Sequence, residues 1–334
     1  MKLRKETSLD PEILDFHASD LSSVFEGPTL FDLRNPNVPP VFVSVLLHGN
    51  EISGWDALRS LLKEQLQAGE SASMYILIGN VQAASQNVRA LDEQPDFNRI
   101  WQGNHPTESD WTQDVIAEVA SGEPWFALDI HNNTCPNPHH SVITDMDPAT
   151  LSVAREFSDI AIFAAQPPGV LSRRCSQFCT AITIEVGTPW ELESAARAKA
   201  FLSSLIKRGS LPTTSGEDLR IYRNNIRVVI EKAHEKKDWQ VPNFTPDLNQ
   251  WNFTTLEKGT SIAQLKPGGG RLVAHDDHMH DVTNEFLEYK GDEVLLARDV
   301  IMSMYTEDPR IALQDCVCYF LEPWDFSDQE LAAS

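Results

Sequence analysis

The sequence predicts an α/β fold: a mainly parallel or mixed sheet flanked by helices, joined to a smaller β-rich C-terminal domain. Three observations carry this expectation. From residue 38 to about residue 207, apolar runs of strand length alternate with stretches of helical period. Ser210-Leu-Pro-Thr-Thr-Ser-Gly216 then has the composition of a linker. Beyond it come only short β-type runs separated by turn residues. With 334 residues, 41% hydrophobic and 23% charged, the chain has the size and composition of a soluble globular protein of one large or two ordinary domains. The expected boundary lies near residue 212, separating 1–211 from 212–334, with residues 1–35 unassigned.

Each element follows from its pattern. Val41-Phe-Val-Ser-Val-Leu-Leu47 reads as a buried strand, and a helix from about Ile52 to Ala68 follows, with Trp55, Leu58, Leu62 and Leu66 near one face. Met74–Ile78 is a second strand. A helix from about Ser109 to Ala120 precedes a third strand, Trp125–Ile130. Val142–Thr144, Ile160–Ala165 and Ala181–Val186 are further strands, and a helix from Trp190 to Lys207 closes this half. In the second half, strand-like runs occupy Arg220–Glu231, Ser261–Leu265, Glu293–Ala297, Val300–Tyr305 and Cys316–Leu321. In a mainly parallel sheet covered on both faces, functional residues gather at the C-terminal ends of the strands.

Charge narrows the partners. Lys and Arg total 27 against 49 Asp and Glu, a net charge of −22. Nucleic acid is excluded as a partner, because phosphate binding needs clustered basic residues, and an anionic membrane surface is disfavoured for the same reason. The longest apolar run, Val38 to Leu47, is broken by two prolines and a serine and is too short to span a bilayer. No apolar segment follows the basic start Met1-Lys-Leu-Arg-Lys5. A cytoplasmic protein is expected. The five cysteines, Cys135, Cys175, Cys179, Cys316 and Cys318, are odd in number. They lack the paired C-x-x-C spacing of a structural zinc site, so they read as core thiols.

The residues that could carry chemistry sit where strands end. His48-Gly-Asn-Glu51 offers an imidazole and a carboxylate able to face one point above the sheet, and both are good zinc ligands. Such an H-x-x-E recurs by chance, with the Glu merely favouring a helix N-terminus. Asp129-Ile-His131 ends another buried strand and offers a third ligand. Strand alternation puts Asp129 on the same face as His131, where it can accept a bond from the imidazole N–H or from a neighbouring active-site donor. Glu185, inside the apolar run Ala181–Gly187, is costly there unless paired or functional. Beside an activated water it could take and return a proton. Arg89, Asn98 and Arg99 lie in a polar, loop-like segment after the second strand, and arginine suits a bidentate grip on a carboxylate. In so acidic a chain, a local cationic pocket points to an anionic substrate.

Taken in order, His48-Gly-Asn-Glu51, Asp96-Phe-Asn-Arg99, Asp129-Ile-His131 and Ile184-Glu-Val-Gly187 resemble the succinylglutamate desuccinylase/aspartoacylase family, a branch of the zinc carboxypeptidase-like hydrolases. Thr245-Pro-Asp-Leu-Asn-Gln-Trp251 and Leu256-Glu-Lys-Gly259 extend the likeness softly into the second half. The resemblance implies a zinc hydrolase catalytic domain in residues 1–211, with one Zn2+ per chain held by His48, Glu51 and His131. It makes Glu185 the general base and Arg89 the residue that polarises the scissile carbonyl, with Asn98 and Arg99 clamping a substrate carboxylate. Two further substrate contacts of the family fall near Arg174 and Tyr289, each shifted by one position. The implied activity is hydrolysis of the amide of a small anionic N-acyl amino acid, a carbon–nitrogen bond other than a peptide bond. A carboxypeptidase acting on short peptides is the enzymatic alternative, and a metal-containing protein that binds an anionic metabolite is the non-enzymatic one.

Other signals are demoted. His275, His278 and His280 have the composition of a second metal cluster but sit in a turn after Gly268-Gly-Gly270, where a solvated loop is expected. The triple glycine lacks the following Lys-Ser/Thr of a phosphate-binding loop. No two glycines are four apart, so the G-x-S-x-G of a serine hydrolase is absent. His139 and His140 follow the third ligand and are open to substrate binding or to a surface role.

Overall fold

A computed structural model describes residues 2–102, 110–164, 169–213, 218–231 and 240–324. The linker expected at 210–216 lies partly outside these residues. The chain divides into two compact units, Met1–Asn133 with His139–Ala161 and Pro167–Leu219, and Thr134–Pro138 with Ile162–Gln166 and Arg220–Ser334.

The first unit is built on the strands β1 (Arg4–Glu6), β2 (Thr29–Leu33), β3 (Val41–Val45), β4 (Met74–Ile78), β5 (Phe126–His131), β6 (His140–Ile143) and β8 (Thr180–Glu185), and takes in Ile160 and Ala161 of β7 (Ile160–Phe163). Their spatial order is β1-β2-β4-β3-β5-β8-β6-β7. The central pairs β3/β4, β3/β5 and β5/β8 are parallel, whereas β2/β4 and β6/β8 are antiparallel. The sheet is therefore mixed, with a parallel centre whose residues are buried on both faces, as such strands require. The helices are α1 (Ser53–Ala68), α2 (Val81–Ser85), α3 (Asp110–Ser121), α4 (Pro148–Phe157), α5 (Leu171–Cys175) and α6 (Leu192–Arg208). The α/β expectation holds.

Strand alternation divides the work between the two faces. Gly54 of α1 packs on the side chains of Val45 and Ile130, and the Ser141 hydroxyl donates to the Ala154 carbonyl of α4. On the other face, Thr183 donates to Ser172 of α5, and Ser44 donates to Asp129. Below those polar positions the same face continues as Phe42, Ala127 and Ala181, packed with Trp111, Val115 and Val119 of α3 and with Leu171 and Cys175 of α5. One face thus carries an apolar floor at its base and polar groups at the C-terminal ends of the strands, the usual position of a ligand site in a parallel sheet.

Several details depart from the sequence reading. β3 stops at Val45 rather than Leu47, because Leu46 takes a left-handed conformation (φ 59°). His48 and Glu51 therefore lie in the connecting turn, ahead of α1. Leu66 lies in the last turn of α1 and is exposed, while Leu61 joins Trp55, Leu58 and Leu62 in the core. The unassigned N-terminus supplies β1 and β2, the latter paired along its whole length with β4.

The second unit contains β9 (Arg220–Glu231), β10 (Asn243–Phe244), β11 (Thr255–Leu256), β12 (Ser261–Gln264), β13 (Arg271–His275), α7 (Thr283–Phe286), β14 (Leu287–Lys290), β15 (Glu293–Leu296), β16 (Val300–Ser303), α8 (Pro309–Gln314) and β17 (Cys318–Pro323). β9 pairs antiparallel with β13 and β17, and β10-β12-β15-β14 form a separate small sheet. Ile262, Leu272, Val294, Met302 and Phe320 are among its core residues. None of the five cysteines forms a disulfide. Among the described residues, no helix is long and apolar enough to cross a membrane.

Candidate active site

The turn after β3 delivers two of the predicted ligands. Gly49 makes that turn possible: a Cβ there would lie 2.2 Å from the Ala84 nitrogen and 2.3 Å from the Ala83 carbonyl carbon of α2. Its own N–H donates to the Arg89 carbonyl at 3.0 Å, which ties the turn to the Arg89 segment. Gly49→Ala is expected to destabilise the protein by about 1–3 kcal/mol through overpacking and to weaken metal binding by displacing His48. A denaturant melt and a metal titration of the variant check this. Unchanged values in both would contradict it.

His131, the last residue of β5, brings the third ligand. Nδ1 of His48 lies 2.8 Å from Glu51 Oε1, and Nδ1 of His131 lies 2.6 Å from Glu51 Oε2. The imidazole centroids are 4.9 Å apart. Potential ligand atoms of His48, Glu51 and His131 all fall within 4.8 Å of one another, and all three residues are buried. Among the described residues, this is the one group of three or more His, Cys, Asp or Glu side chains that converges in this way.

Each imidazole is also held from behind. His131 Nε2 lies 2.8 Å from Asp129 Oδ2, and the other oxygen of Asp129 accepts the Ser44 hydroxyl. His48 Nε2 lies 3.0 Å from Asp96 Oδ1. Nδ1 of both rings is thereby left toward the Glu51 side, since the carboxylate behind each ring selects the Nε2–H form. Burial alone would lower the His131 pKa, but the carboxylates of Asp129 and Glu51 hold it well above the ordinary imidazole value. Burial works to raise Glu51, yet the His48 and His131 charges outweigh it and keep that carboxyl well below its usual range.

Asp96-Phe-Asn-Arg99 is anchored by alternation. Phe97, Ile100 and Trp101 insert into the apolar floor, with Phe97 and Trp101 centroids 5.2 and 5.3 Å from Trp111. The Trp101 indole N–H also donates to the Phe97 carbonyl at 2.7 Å. Burying such aromatic residues contributes about 1.5–3 kcal/mol each, enough to hold a loop that has no regular structure of its own. Between the anchors, Arg89 donates through Nε and Nη2 to Asp96 Oδ2 at 3.2 and 2.9 Å, and its Nη1 is 3.6 Å from Glu51 Oε1. Asn98 places Nδ2 3.2 Å from His131 Nε2, while its Oδ1 accepts the Leu171 N–H at 2.9 Å. Arg99 Nη1 donates to the Asn98 carbonyl at 3.0 Å.

Glu185 ends β8 directly beside His131 in the β5/β8 register and opposite His140 in β6. Its Oε2 is buried and has no hydrogen-bond partner among the described residues. Burial pushes its pKa up to about 7; Glu51 adds to the rise, and His131, His48 and Arg89 oppose it. The following turn is tied back to β5 by hydrogen bonds. Gly187 adopts φ 103°, and its carbonyl accepts both the Asn132 side-chain amide at 2.7 Å and the Asn133 N–H at 3.0 Å. Asn132 also accepts the Ser53 N–H at 3.0 Å and gives its own backbone N–H to Glu51 Oε2 at 3.3 Å.

The structure thus brings His48, Glu51, His131, Asp129, Arg89, Asn98 and Glu185 to one end of the sheet. Arg174 lies in α5 and donates to Gln177. Tyr289 belongs to β14 of the second unit, where its hydroxyl donates to the Leu272 carbonyl. His278 and His280 are exposed and turn toward Asp277 and Asp276 respectively. Asp96 has no task assigned from its motif, and Asn132 and Ser44 carry no mark in the sequence pattern. Their common signal is a buried or half-buried polar side chain next to a candidate ligand, which becomes visible only once burial is known.

The family model for the succinylglutamate desuccinylase/aspartoacylase catalytic domain matches residues 37–207. Succinylglutamate desuccinylase of Serratia proteamaculans (strain 568) is 27% identical over 262 residues, covering 70% of this chain and 77% of that protein. Among solved structures, succinylglutamate desuccinylase of Vibrio cholerae aligns with a TM-score of 0.57 at 16% identity, over 86% of this chain and 82% of that one. Murine aminoacylase 3 aligns with a TM-score of 0.55 at 17% identity, over 87% and 97%. At these identities the two structures establish a shared fold, while the catalytic-domain match spans the segment carrying every residue of the assembled cluster. The chain belongs to the succinylglutamate desuccinylase/aspartoacylase family.

Proposed function

We propose that this protein is a zinc-dependent amidohydrolase that removes the acyl group from a small anionic N-acyl amino acid. The observation that carries the reading is the buried convergence of His48, Glu51 and His131 next to a Glu185 oxygen that no described residue bonds. Two imidazole nitrogens and a carboxylate are the donor set of a catalytic zinc site with a position left for water. Bound there, zinc would polarise a carbonyl and bring the pKa of a coordinated water toward neutrality.

The chain's own residues divide the remaining work. Glu185 takes the proton of the attacking water at Oε2 and returns it to the departing amine; a carboxyl pushed up to about 7 is matched to proton transfer near neutral pH. Arg89, fixed through Nε and Nη2, keeps Nη1 on the Glu51 side, where it can stabilise the oxyanion developing on the scissile carbonyl. Asn98 and Arg99 hold the substrate carboxylate, and the aromatic anchors beneath them keep that grip in place. Asp129 and Ser44 hold the ring of His131.

A panel of N-succinylglutamate, N-acetylaspartate, other N-acyl amino acids and short blocked peptides, assayed on protein of measured metal content, tests the reading. Turnover confined to peptides would make the protein a carboxypeptidase. Zinc and tight ligand binding with no turnover would make it a metabolite-binding protein. On the best substrate, Arg99→Met is expected to raise KM by roughly 10- to 150-fold, the worth of a charge-assisted hydrogen bond, with kcat little changed. An unchanged KM would remove Arg99 from the substrate grip.

A further inference from the structure

Two carboxylates stand behind the two imidazoles, and they are wired differently. Asp129 divides its oxygens between His131 and the Ser44 hydroxyl, so it serves one ligand and nothing else in the assembled cluster. Asp96 is shared. Its Oδ1 faces His48 Nε2 at 3.0 Å and accepts the Asn98 backbone N–H at 2.8 Å; its Oδ2 accepts Arg89 Nε and Nη2 at 3.2 and 2.9 Å. His48 comes from the turn after β3, Arg89 from the segment after α2, and Asn98 from the loop that carries Asp96 itself. A single side chain therefore joins three separate pieces of backbone, each contributing a residue to the site.

We propose that Asp96 is a positioning residue that couples the metal ligand His48 to the carbonyl-polarising Arg89, so that both are aligned by one carboxylate. The inference rests on the zinc hydrolase reading above and extends it. Because Nε and Nη2 of Arg89 both bond the same Asp96 oxygen, the guanidinium is held in one plane and Nη1 is kept beside Glu51. Without that fork, the guanidinium on its flexible stem would lose its fixed plane, and Nη1 would no longer be held at one place beside the ligand cluster. The carboxylate also holds His48 in the Nε2–H form that leaves Nδ1 available for the metal.

The test is a cycle of Asp96→Asn, Arg89→Gln and the double variant. Zinc affinity is read by chelator competition, and kcat is read on N-succinylglutamate, or on the N-acyl amino acid that wild type prefers, at saturating zinc. Asp96→Asn is expected to weaken zinc binding by roughly 10- to 100-fold, the usual cost of losing a residue that orients a ligand. It is also expected to lower kcat by a similar factor that added zinc does not restore. In the Arg89→Gln background, Asp96→Asn should then cost little further kcat, because the residue it positioned is gone. Full recovery of kcat with added zinc, or losses that multiply in the double variant, would overturn the link to Arg89. Unchanged zinc affinity would overturn the link to His48. If Asp96→Asn does not fold, as judged by circular dichroism, Asp96→Glu replaces it, with the charge retained and the same non-multiplicative loss of kcat expected. Wild-type protein that binds no zinc overturns the hydrolase reading, and the coupling with it. Wild type that works beside variants whose losses multiply overturns the coupling alone.

Discussion

Glu185→Gln is expected to retain zinc while losing turnover by roughly 10²- to 10⁴-fold, the contribution of a positioned general base. The substitution preserves shape and removes only the ability to accept a proton. Because Oε2 bonds no described residue, no structural hydrogen bond is lost with the charge. Stability should move the other way from activity. Burial raises the Glu185 pKa above its value in the unfolded chain, so the contribution of its protonated form is fully present at low pH and is lost as pH rises through about 7. The metal-free Gln variant should therefore match metal-free wild type in acid and exceed it in stability above neutrality. Metal analysis, steady-state kinetics and thermal melts at two pH values check the three parts. Turnover close to wild type in the Gln variant would remove Glu185 from the mechanism. An unchanged stability difference across pH would remove the account of its strained burial.

Removing the metal is the second large effect. Exhaustive chelation is expected to abolish hydrolysis, and one equivalent of zinc to restore it. The metal-free protein should remain folded, because the paired strands and the apolar floor beneath the site do not depend on the ion. Zinc binds deprotonated ligands, so uptake releases protons and affinity weakens as pH falls. At a free zinc concentration 1,000 times Kd, binding adds about 4 kcal/mol to stability, visible as a large rise in Tm. His131→Ala or Glu51→Ala should abolish both the Tm rise and the activity. Undiminished turnover in protein shown to be free of metal would end the proposal.

Much of this was readable from residue patterns. The strands at Val41, Met74, Phe126 and Thr180 announce themselves as largely apolar runs, because a parallel centre buried on both faces leaves few polar positions along its strands. His48, Glu51, Asp129, His131 and Glu185 stand out because charged and imidazole side chains at the ends of such runs have no packing purpose. The misses have equally physical causes. β2 lies in a segment with no alternation to mark it, and it becomes a strand by pairing with β4. β13 and β14 are short, and antiparallel partners supply their hydrogen bonds. The end of β3 turns on the positive φ of Leu46, a conformation that side-chain chemistry does not advertise.

The sequence by itself determined the alternation of elements, the acidic character of the chain and the kinds of atom available at each strand end. Those properties follow from composition and local period, which need no partner elsewhere in the chain. Only the tertiary structure decided that Asp96 stands behind His48 and grips Arg89, that Asn132 ties the ligand turn to the turn after Glu185, and that Glu185 keeps an oxygen bonded by no described residue. The first and last of the contacts among these, His48 with Asp96 and Asn132 with Gly187, join residues tens of positions apart. Such contacts are fixed by strand register and by how closely the backbone can approach at Gly49 and Gly187, not by the identity of sequence neighbours.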